Sequence, residues 1–479
     1  MNPTRNALWL TVCRLTGDVL NLLLFVAISR QLGPAGAGAY SYGFAVATFG
    51  FVIACLGIEE YGLRQFARLD DARRPAFLGE LLGTQVYMVV GAIAALAVYL
   101  AVTGPSKSTL ILVSALAFYQ ITAALAPTLF IPAMAQQRMM GPALAELTAR
   151  TVAFSVAGVG ILILHVPLEQ AVLGFPFAAL VWFALALRSA RHYAPAARVS
   201  VTAAGARRIV ATLWSFALLE IFAQLFTRIG VISLSLGMGD AQAGVFATGL
   251  RLIEVALMPL SFFGMASYPR LSRLYSQDLV AFRRPAGDLL LLMGLGGAAV
   301  AWGLYFVAPL LLVPVLGQRF AGAEPVVQMM ALLALAQAVE VGLGRIMLSA
   351  DRQTPNAVFI AFGAVIGLVL NAVLIPHLGI NGAIYAGVAA YVSVDILCIR
   401  SLQRPLGARV LVRMVLTQLG GIAAAAGVAA VLAMEGFPNW LRAVGSGLVI
   451  GAVALGSYKL REAAARADDP HWQDMPERR

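Results

Sequence analysis

About fourteen stretches of the chain are apolar over roughly 20 residues each, the length a helix needs to cross a bilayer. They fall at 8–32, 38–60, 77–102, 108–133, 143–164, 169–189, 209–236, 242–268, 286–313, 325–349, 355–376, 381–400, 409–434 and 438–458. No connection between them is long enough to fold alone. With 60% hydrophobic and only 12% charged residues, the sequence falls outside the soluble globular range, where charge is nearer a quarter. An all-α polytopic membrane protein is expected, because hydrocarbon tolerates only backbone that satisfies its own hydrogen bonds. The net charge of +11 would suggest nucleic acid in a soluble chain. Here the arginines sit in short loops, so the expected partner is the bilayer, with no nucleic acid.

The segment SRQLGPAGAGAYSYGF, from Ser29 to Phe44, closes one apolar stretch, turns and opens the next. Leu236 begins a second version, LGMGDAQAGVFATGL, in which Ala243-Gly-Val-Phe lines up with Ala37-Gly-Ala-Tyr after a two-residue insertion. Leu378-Gly-Ile-Asn-Gly-Ala-Ile-Tyr is a third. Glycine ends a helix in the left-handed conformation without steric cost, and the small residues after it let two helices approach closely. Because Ala37 and Ala243 lie six spans apart, the two halves enter the membrane in the same sense. That is a parallel repeat about an axis along the membrane normal, the plan of two-lobed transporters with a site between the lobes.

Positive charge orients the chain. The even-to-odd loops and the termini carry nearly all the basic residues outside the spans, including Arg64, Arg68, Arg73, Arg74, Arg207, Arg208, Arg270, Arg273, Arg283 and Arg284. The opposite loops carry Lys107 and Arg319. Both termini are therefore expected in the cytoplasm of a multi-pass protein. The first apolar run continues to about residue 32 with no cleavage site, so it is read as a retained span. The expected organisation is an N-terminal lobe at 1–190 and a cytoplasmic linker at 191–208, where Ala-Pro-Ala-Ala and Ala-Ala-Gly occur. A C-terminal lobe at 209–402, two further spans at 403–460 and a disordered cytoplasmic tail at 461–479 follow.

Ionisable residues inside the spans cost about 2.5–3.5 kcal/mol each at mid-membrane and mark functional sites by default. Asp18, Glu220, Arg251, Glu254 and Asp395 lie nearest the middle; Arg14, Glu146, Arg150 and Arg345 lie towards the cytoplasmic end, Arg228 towards the outer end and Glu340 between. Arg14, Asp18 and Asn21 form one polar stripe at helical spacing, and Glu220, Gln224 and Arg228 form another on the equivalent span of the second half. The stripes fit the lining of one central cavity. Arg251 with Glu254 (i, i+3) and Glu146 with Arg150 (i, i+4) fit either that cavity or neutral pairs that only lock helices together. Arg345, Arg413 and Arg442 read as structural, and the facing of Glu340 and Asp395 stays open. Pro127, Pro132, Pro176, Pro259, Pro309 and Pro314 lie in or near spans and kink them; Pro259, just after Arg251 and Glu254, fits either a hinge that couples cavity charge to lobe movement or, somewhat better, a static kink.

No Gly-x-x-x-x-Gly-Lys run offers an ATP site, and His165, His192, His377 and His471 are scattered. Cys13, Cys55 and Cys398 fall in apolar stretches with no pairable spacing, so neither a metal nor a disulfide framework is expected. No cofactor is expected. The carboxylates Asp18, Glu220, Glu254, Glu340 and Asp395 are candidates for proton or sodium coupling or for ion pairing.

In its hairpin SRQLGPAGAGAY with LGIEEYGLRQFAR, its run RLIEVALMPL…YPRLSRLY at 251–275, and LGQRFAGAEPVVQMMALLALAQ through LSADRQTPN to LIPHLGINGAIYAGVAAYV, the chain resembles the polysaccharide flippases of the multidrug/oligosaccharidyl-lipid/polysaccharide exporter (MOP) superfamily. The resemblance implies two pseudo-symmetric six-helix lobes with two appended C-terminal helices, in the bacterial cytoplasmic membrane. It further implies alternating access around a cationic cavity that passes an undecaprenyl-pyrophosphate-linked glycan for polysaccharide biosynthesis, with glycan polymerase machinery as a further partner. Arg251 would make the first substrate contact, supported by Arg14, Arg150 and Arg228. The lipid II flippases of the same superfamily carry an adjacent arginine and aspartate near the end of span 1. This chain has Leu24 and Phe25 there, which speaks against a peptidoglycan precursor. The alternatives are a cation-coupled multidrug antiporter of the sister branch and, less favoured by the short outer loops, a membrane-embedded glycan enzyme.

Overall fold

The computed structural model describes residues 3–407, Met434 and residues 439–468, and among them every regular element is helical. The helices are α1 (Pro3–Cys55), α2 (Ile58–Arg68), α3 (Arg74–Thr103), α4 (Lys107–Ala135), α5 (Met140–Leu162), α6 (Leu168–Ala171), α7 (Gly174–Tyr193), α8 (Ala203–Met238), α9 (Asp240–Gln277), α10 (Leu279–Trp302), α11 (Ala308–Leu316), α12 (Glu324–Ser349), α13 (Gln353–Leu378) and α14 (Ile380–Leu406), with a last helix at Asn439–Asp468. Among the described residues, eleven helical stretches are long and apolar enough to cross a membrane. The first, Val12–Arg68, contains two of the expected spans, so the stretches up to Leu406 hold the first twelve. The thirteenth, 409–434, lies outside the described residues. The fourteenth falls on Asn439–Asp468, whose apolar part, Leu441–Val453, is shorter than a full span.

A single helix of 53 residues would be about 80 Å long, far more than the roughly 30 Å hydrocarbon core. Gly33, at φ 71° and ψ −165°, interrupts α1 and divides it into two spans. Gly239 (φ 87°) does the same between α8 and α9, and Gly379 (φ 58°) between α13 and α14. In the second hairpin the turning residue is thus Gly239 and not Gly237. Aligned on Gly33 and Gly239, the two hairpins match without the insertion expected from Leu236-Gly237.

Two compact units divide the chain: Met1–Thr248 with Leu312–Gly322 and Ile360–Ala386, and Gly249–Leu311 with Ala323–Phe359 and Gly387–Arg479. Within the first, the two hairpins meet glycine to glycine. A Cβ on Gly38 would lie 1.7 Å from the Asp240 carbonyl oxygen, and one on Gly244 would lie 1.8 Å from the Pro34 carbonyl oxygen. Pro34 and Asp240 each follow the turning glycine of their own hairpin, so the contact maps onto itself when the halves are exchanged, as a two-fold contact must. Arg319, one of the two basic residues assigned to the outer loops, donates to the Gln31 carbonyl at 2.7 Å and lays its stem over Gly33. A cation is favourable at such a helix C-terminus.

Small residues also build the rest of this unit. Ala126 of α4, Ala145 and Ala149 of α5, and Ala186 and Ala190 of α7 share a buried cluster with Trp182, the close packing that membrane helices use in place of a hydrophobic drive. The segment expected to link the halves crosses α3. Ser200 N–H donates to the Gly79 carbonyl at 3.0 Å, and Cβ atoms on Gly79 and Gly83 would collide with the carbonyls of Arg198 and Ser200.

In the second unit, α10 runs into a π-helical turn at Gly303–Val307 before Pro309. Proline supplies no N–H to the carbonyl four residues earlier, that of Tyr305. Gln328 of α12 donates its side-chain amide to that carbonyl at 3.1 Å, so no acceptor is orphaned. Trp302 Nε1 donates to Ala443 O at 3.0 Å and Ser446 Oγ at 3.2 Å, docking the last helix on α10. Arg283, in the first turns of α10, donates to the Pro405 carbonyl and Arg352, between α12 and α13, to Ser401 Oγ, so two arginines hold the end of α14.

Gly38→Ala and Gly244→Ala should each lower thermal stability in detergent by about 1–3 kcal/mol through overpacking. Gly91→Ala, where the added Cβ meets nothing within 4 Å, should be neutral or stabilising by up to about 1 kcal/mol; equal melting of all three variants would contradict the clasp. Gln328→Leu should cost about 1–3 kcal/mol by leaving the Tyr305 carbonyl unpaired. The comparison is Gln328→Glu, which retains volume but cannot donate when ionised.

Candidate functional site

The charged residues of the spans gather on a few helices. In the first unit, Arg150 of α5 lies between two carboxylates: Nη1 donates to Asp18 Oδ1 of α1 at 2.6 Å, and Nη2 to Glu146 Oε1 at 2.6 Å. Glu146 and Arg150 are one turn apart, so their pairing follows from helical spacing. The bridge to Asp18 crosses between helices. It depends on Gly17, where a Cβ would lie 2.5 Å from Arg150 Cδ. The arginine stem passes over a bare patch of α1 to reach the carboxylate one residue on.

Arg14, one turn before Asp18, is exposed and makes no hydrogen bond or salt bridge with a described residue. Glu59, near the start of α2, lies within electrostatic reach of Glu60, Arg14 and Glu146. Glu59 and Gly17 escape a sequence reading because neither falls on a polar stripe. The signal that pointed near Glu59 was the LGIEEYGLRQFAR segment. In ionised form the cluster holds two arginines and three carboxylates, with Arg150 engaged and Arg14 open.

On α8, Gln224 Nε2 donates to Glu220 Oε1 at 2.9 Å, with Glu220 exposed and Arg228 half-buried two turns further on. In the second unit, Arg251 Nη1 donates to Glu254 Oε2 at 2.9 Å, the side chains retaining 29% and 37% exposure. Asp395 of α14 is 7% exposed, and its Oδ1 has no hydrogen-bond partner among the described residues. Half-buried Glu340 of α12 lies within electrostatic reach of it. The two carboxylates whose facing the sequence leaves open thus face one region. An unpaired carboxylate there carries a large desolvation cost unless a cation accompanies it. Arg345 packs its stem against Gly264, and Arg413 lies outside the described residues. Among those residues no group of three or more His, Cys, Asp or Glu could hold a metal ion. Leu24 and Phe25 are 1% and 2% exposed, core positions with no space for an arginine–aspartate pair.

Long apolar helices in a repeat, with ionic clusters set on them, define an all-α polytopic membrane protein, and solved membrane transporters share its fold. The lipid II flippase MurJ in an inward closed conformation superposes with a TM-score of 0.72 at 12% identity, over 94% of this chain and 98% of that one. A multidrug resistance MATE family transporter of the MOP superfamily in its inward-facing conformation gives 0.59 at 12% identity, over 81% and 94%. Its outward-facing counterpart gives 0.52 at 10% identity, over 85% and 97%. No curated protein sequence matches the chain. The chain belongs to the polysaccharide biosynthesis protein family, whose profile matches residues 4–275.

Replacing Arg150 with Met should destabilise the protein by about 2 kcal/mol, less than a fully buried pair because the three side chains keep 19–39% exposure. Asp18→Asn with Glu146→Gln in the Arg150→Met background should recover much of that loss, since the carboxylates are then no longer orphaned. Melting temperatures of the wild type, Arg150→Met, Asp18→Asn/Glu146→Gln and the triple variant in one detergent measure the coupling, and strict additivity would show that the triad holds nothing together.

Proposed function

We propose that this chain is a flippase that moves undecaprenyl-pyrophosphate-linked oligosaccharide units across the bacterial cytoplasmic membrane for polysaccharide biosynthesis. The observation that carries the reading is where the family match falls. Residues 4–275 contain Arg14, Asp18, Glu146, Arg150, Glu220, Arg228, Arg251 and Glu254, all the candidate cations among them. A pyrophosphate left unpaired in hydrocarbon costs tens of kcal/mol by Born solvation, so its passage needs water, basic side chains and an alternation of access. In this reading the lobes 1–190 and 209–402 open in turn to either side. Arg251 makes the first contact, Arg14, Arg228 and Arg150 support it, and the polyprenyl tail stays in lipid. The arginine-rich loops and both termini face the cytoplasm, and the glycan polymerase machinery receives the product on the other side.

Glu340 and Asp395 lie beyond the matched stretch and are proposed to take a proton or sodium ion whose gradient drives the cycle. This feature also favours the second reading, a cation-coupled multidrug antiporter. The two separate in a deletion strain: loss of surface glycan with unchanged drug susceptibility is expected, and the reverse pattern would replace the first reading by the second. In the complemented strain, Arg251→Ala and Arg14→Ala should reduce glycan export about tenfold or more at normal protein level, one charge-assisted contact being worth about 1.5–3 kcal/mol. Export at the unaltered rate would remove both residues from the path.

A further inference from the structure

We propose that the groove between α9 and α10 is a binding site for a bilayer phospholipid with an anionic phosphate head group. The groove encloses about 960 Å³ and lies wholly within the second unit. Its lining is graded along its length. Arg270 and Arg284 stand at the end near the α9–α10 turn, while Phe263, Leu292 and Leu295 line the deeper part. Asp278 fixes that turn by capping α10, accepting from Val280 N–H at 2.8 Å and Ala281 N–H at 3.1 Å. Both arginines are exposed, and neither makes a hydrogen bond or salt bridge with a described residue.

From Arg284 to Leu295 the helix rises about 16 Å, about half of a hydrocarbon core roughly 30 Å thick. The floor is therefore one leaflet deep, the length of an ordinary acyl chain, whereas a polyprenyl chain is longer than a leaflet is deep. Asp288 also lines the groove, one turn below Arg284. With two guanidinium groups to one carboxylate, the lining side chains keep a net positive charge at the mouth. Basic pockets between membrane helices on the arginine-rich side of a protein hold anionic head groups in this way. The site accounts for part of the YPRLSRLY run, whose Arg270, Leu271 and Leu274 line it. Assigning the lipid to the cytoplasmic leaflet rests on the orientation proposed above; the binding itself depends neither on that orientation nor on what is transported.

Native mass spectrometry of the full-length purified protein, titrated with palmitoyl-oleoyl phosphatidylglycerol or phosphatidylcholine, tests the site. Wild-type protein should retain phosphatidylglycerol in preference to phosphatidylcholine. The double variant R270A/R284A should bind it about thirtyfold more weakly, about a factor of five per arginine, and R270K/R284K should keep most of the affinity. Leu292→Trp, which fills the floor and spares both arginines, should also weaken binding. Melting temperatures without added lipid confirm that each variant is folded. Equal retention of phosphatidylglycerol by the folded double variant, or no preference over phosphatidylcholine in the wild type, overturns the proposal. Displacement by equimolar undecaprenyl phosphate would assign the groove to the carrier lipid, and displacement by millimolar inorganic phosphate would reduce it to an anion site; either result also overturns it.

Discussion

Hydrocarbon offers no hydrogen bonds, so every polar group that enters it must be satisfied by the protein. That single condition shapes the chain at each level. It forces the backbone into helices, and where Pro309 removes one backbone donor, Gln328 from a neighbouring helix supplies another to Tyr305. It places arginine between two carboxylates at Arg150. It also explains the arginines that donate to helix ends, such as Arg283 on Pro405 and Arg319 on Gln31. Such residues both orient the chain by charge and close the last carbonyls of its helices.

Close approach is the second consequence, because apolar surface gains little by leaving lipid and helices associate through packing contacts. The glycines at 38 and 244 bring two backbones to a separation that no side chain permits. Counted along the chain, Asp18 stands 15 residues before Gly33 and Arg251 stands 12 residues after Gly239, so each ionic group lies about 18–22 Å of helix from the turn of its own hairpin.

Much of this was legible in the sequence, for identifiable reasons. The first twelve spans follow from hydropathy alone, since no other order of apolar and polar residues fits a bilayer. Pairs on one helix, Glu146 with Arg150 and Arg251 with Glu254, follow from a 3.6-residue period. Contacts between helices do not, because they depend on rotation and crossing that the period leaves free. The bridge from Arg150 to Asp18 over Gly17 is of this kind, as is the donation from Gln328. The letters of the second hairpin place its turn two residues early for a local reason, while the pairing of Ala37 with Ala243 holds. Leu236-Gly237 repeats the letters of Leu32-Gly33, whereas the left-handed turn belongs to the glycine directly before the next helix, Gly239.

The arginines of the first unit divide by what their release would leave behind. Withdrawing Arg150 to meet an anion would strand two carboxylates on two helices, a cost of several kcal/mol wherever water is scarce. Withdrawing Arg14 breaks no hydrogen bond or salt bridge with a described residue and weakens only its longer-range attraction to Glu59. For an anionic cargo, Arg14 is therefore suited to exchange between solvent and ligand, and Arg150 to hold α1 against α5 while that exchange occurs. The same distinction orders the carboxylates. Asp18 and Glu146 are already compensated by a guanidinium, whereas Asp395, nearly buried and with Oδ1 unpaired, gains most from a mobile cation. The residues with the fewest fixed partners are the ones that can respond to what enters the protein.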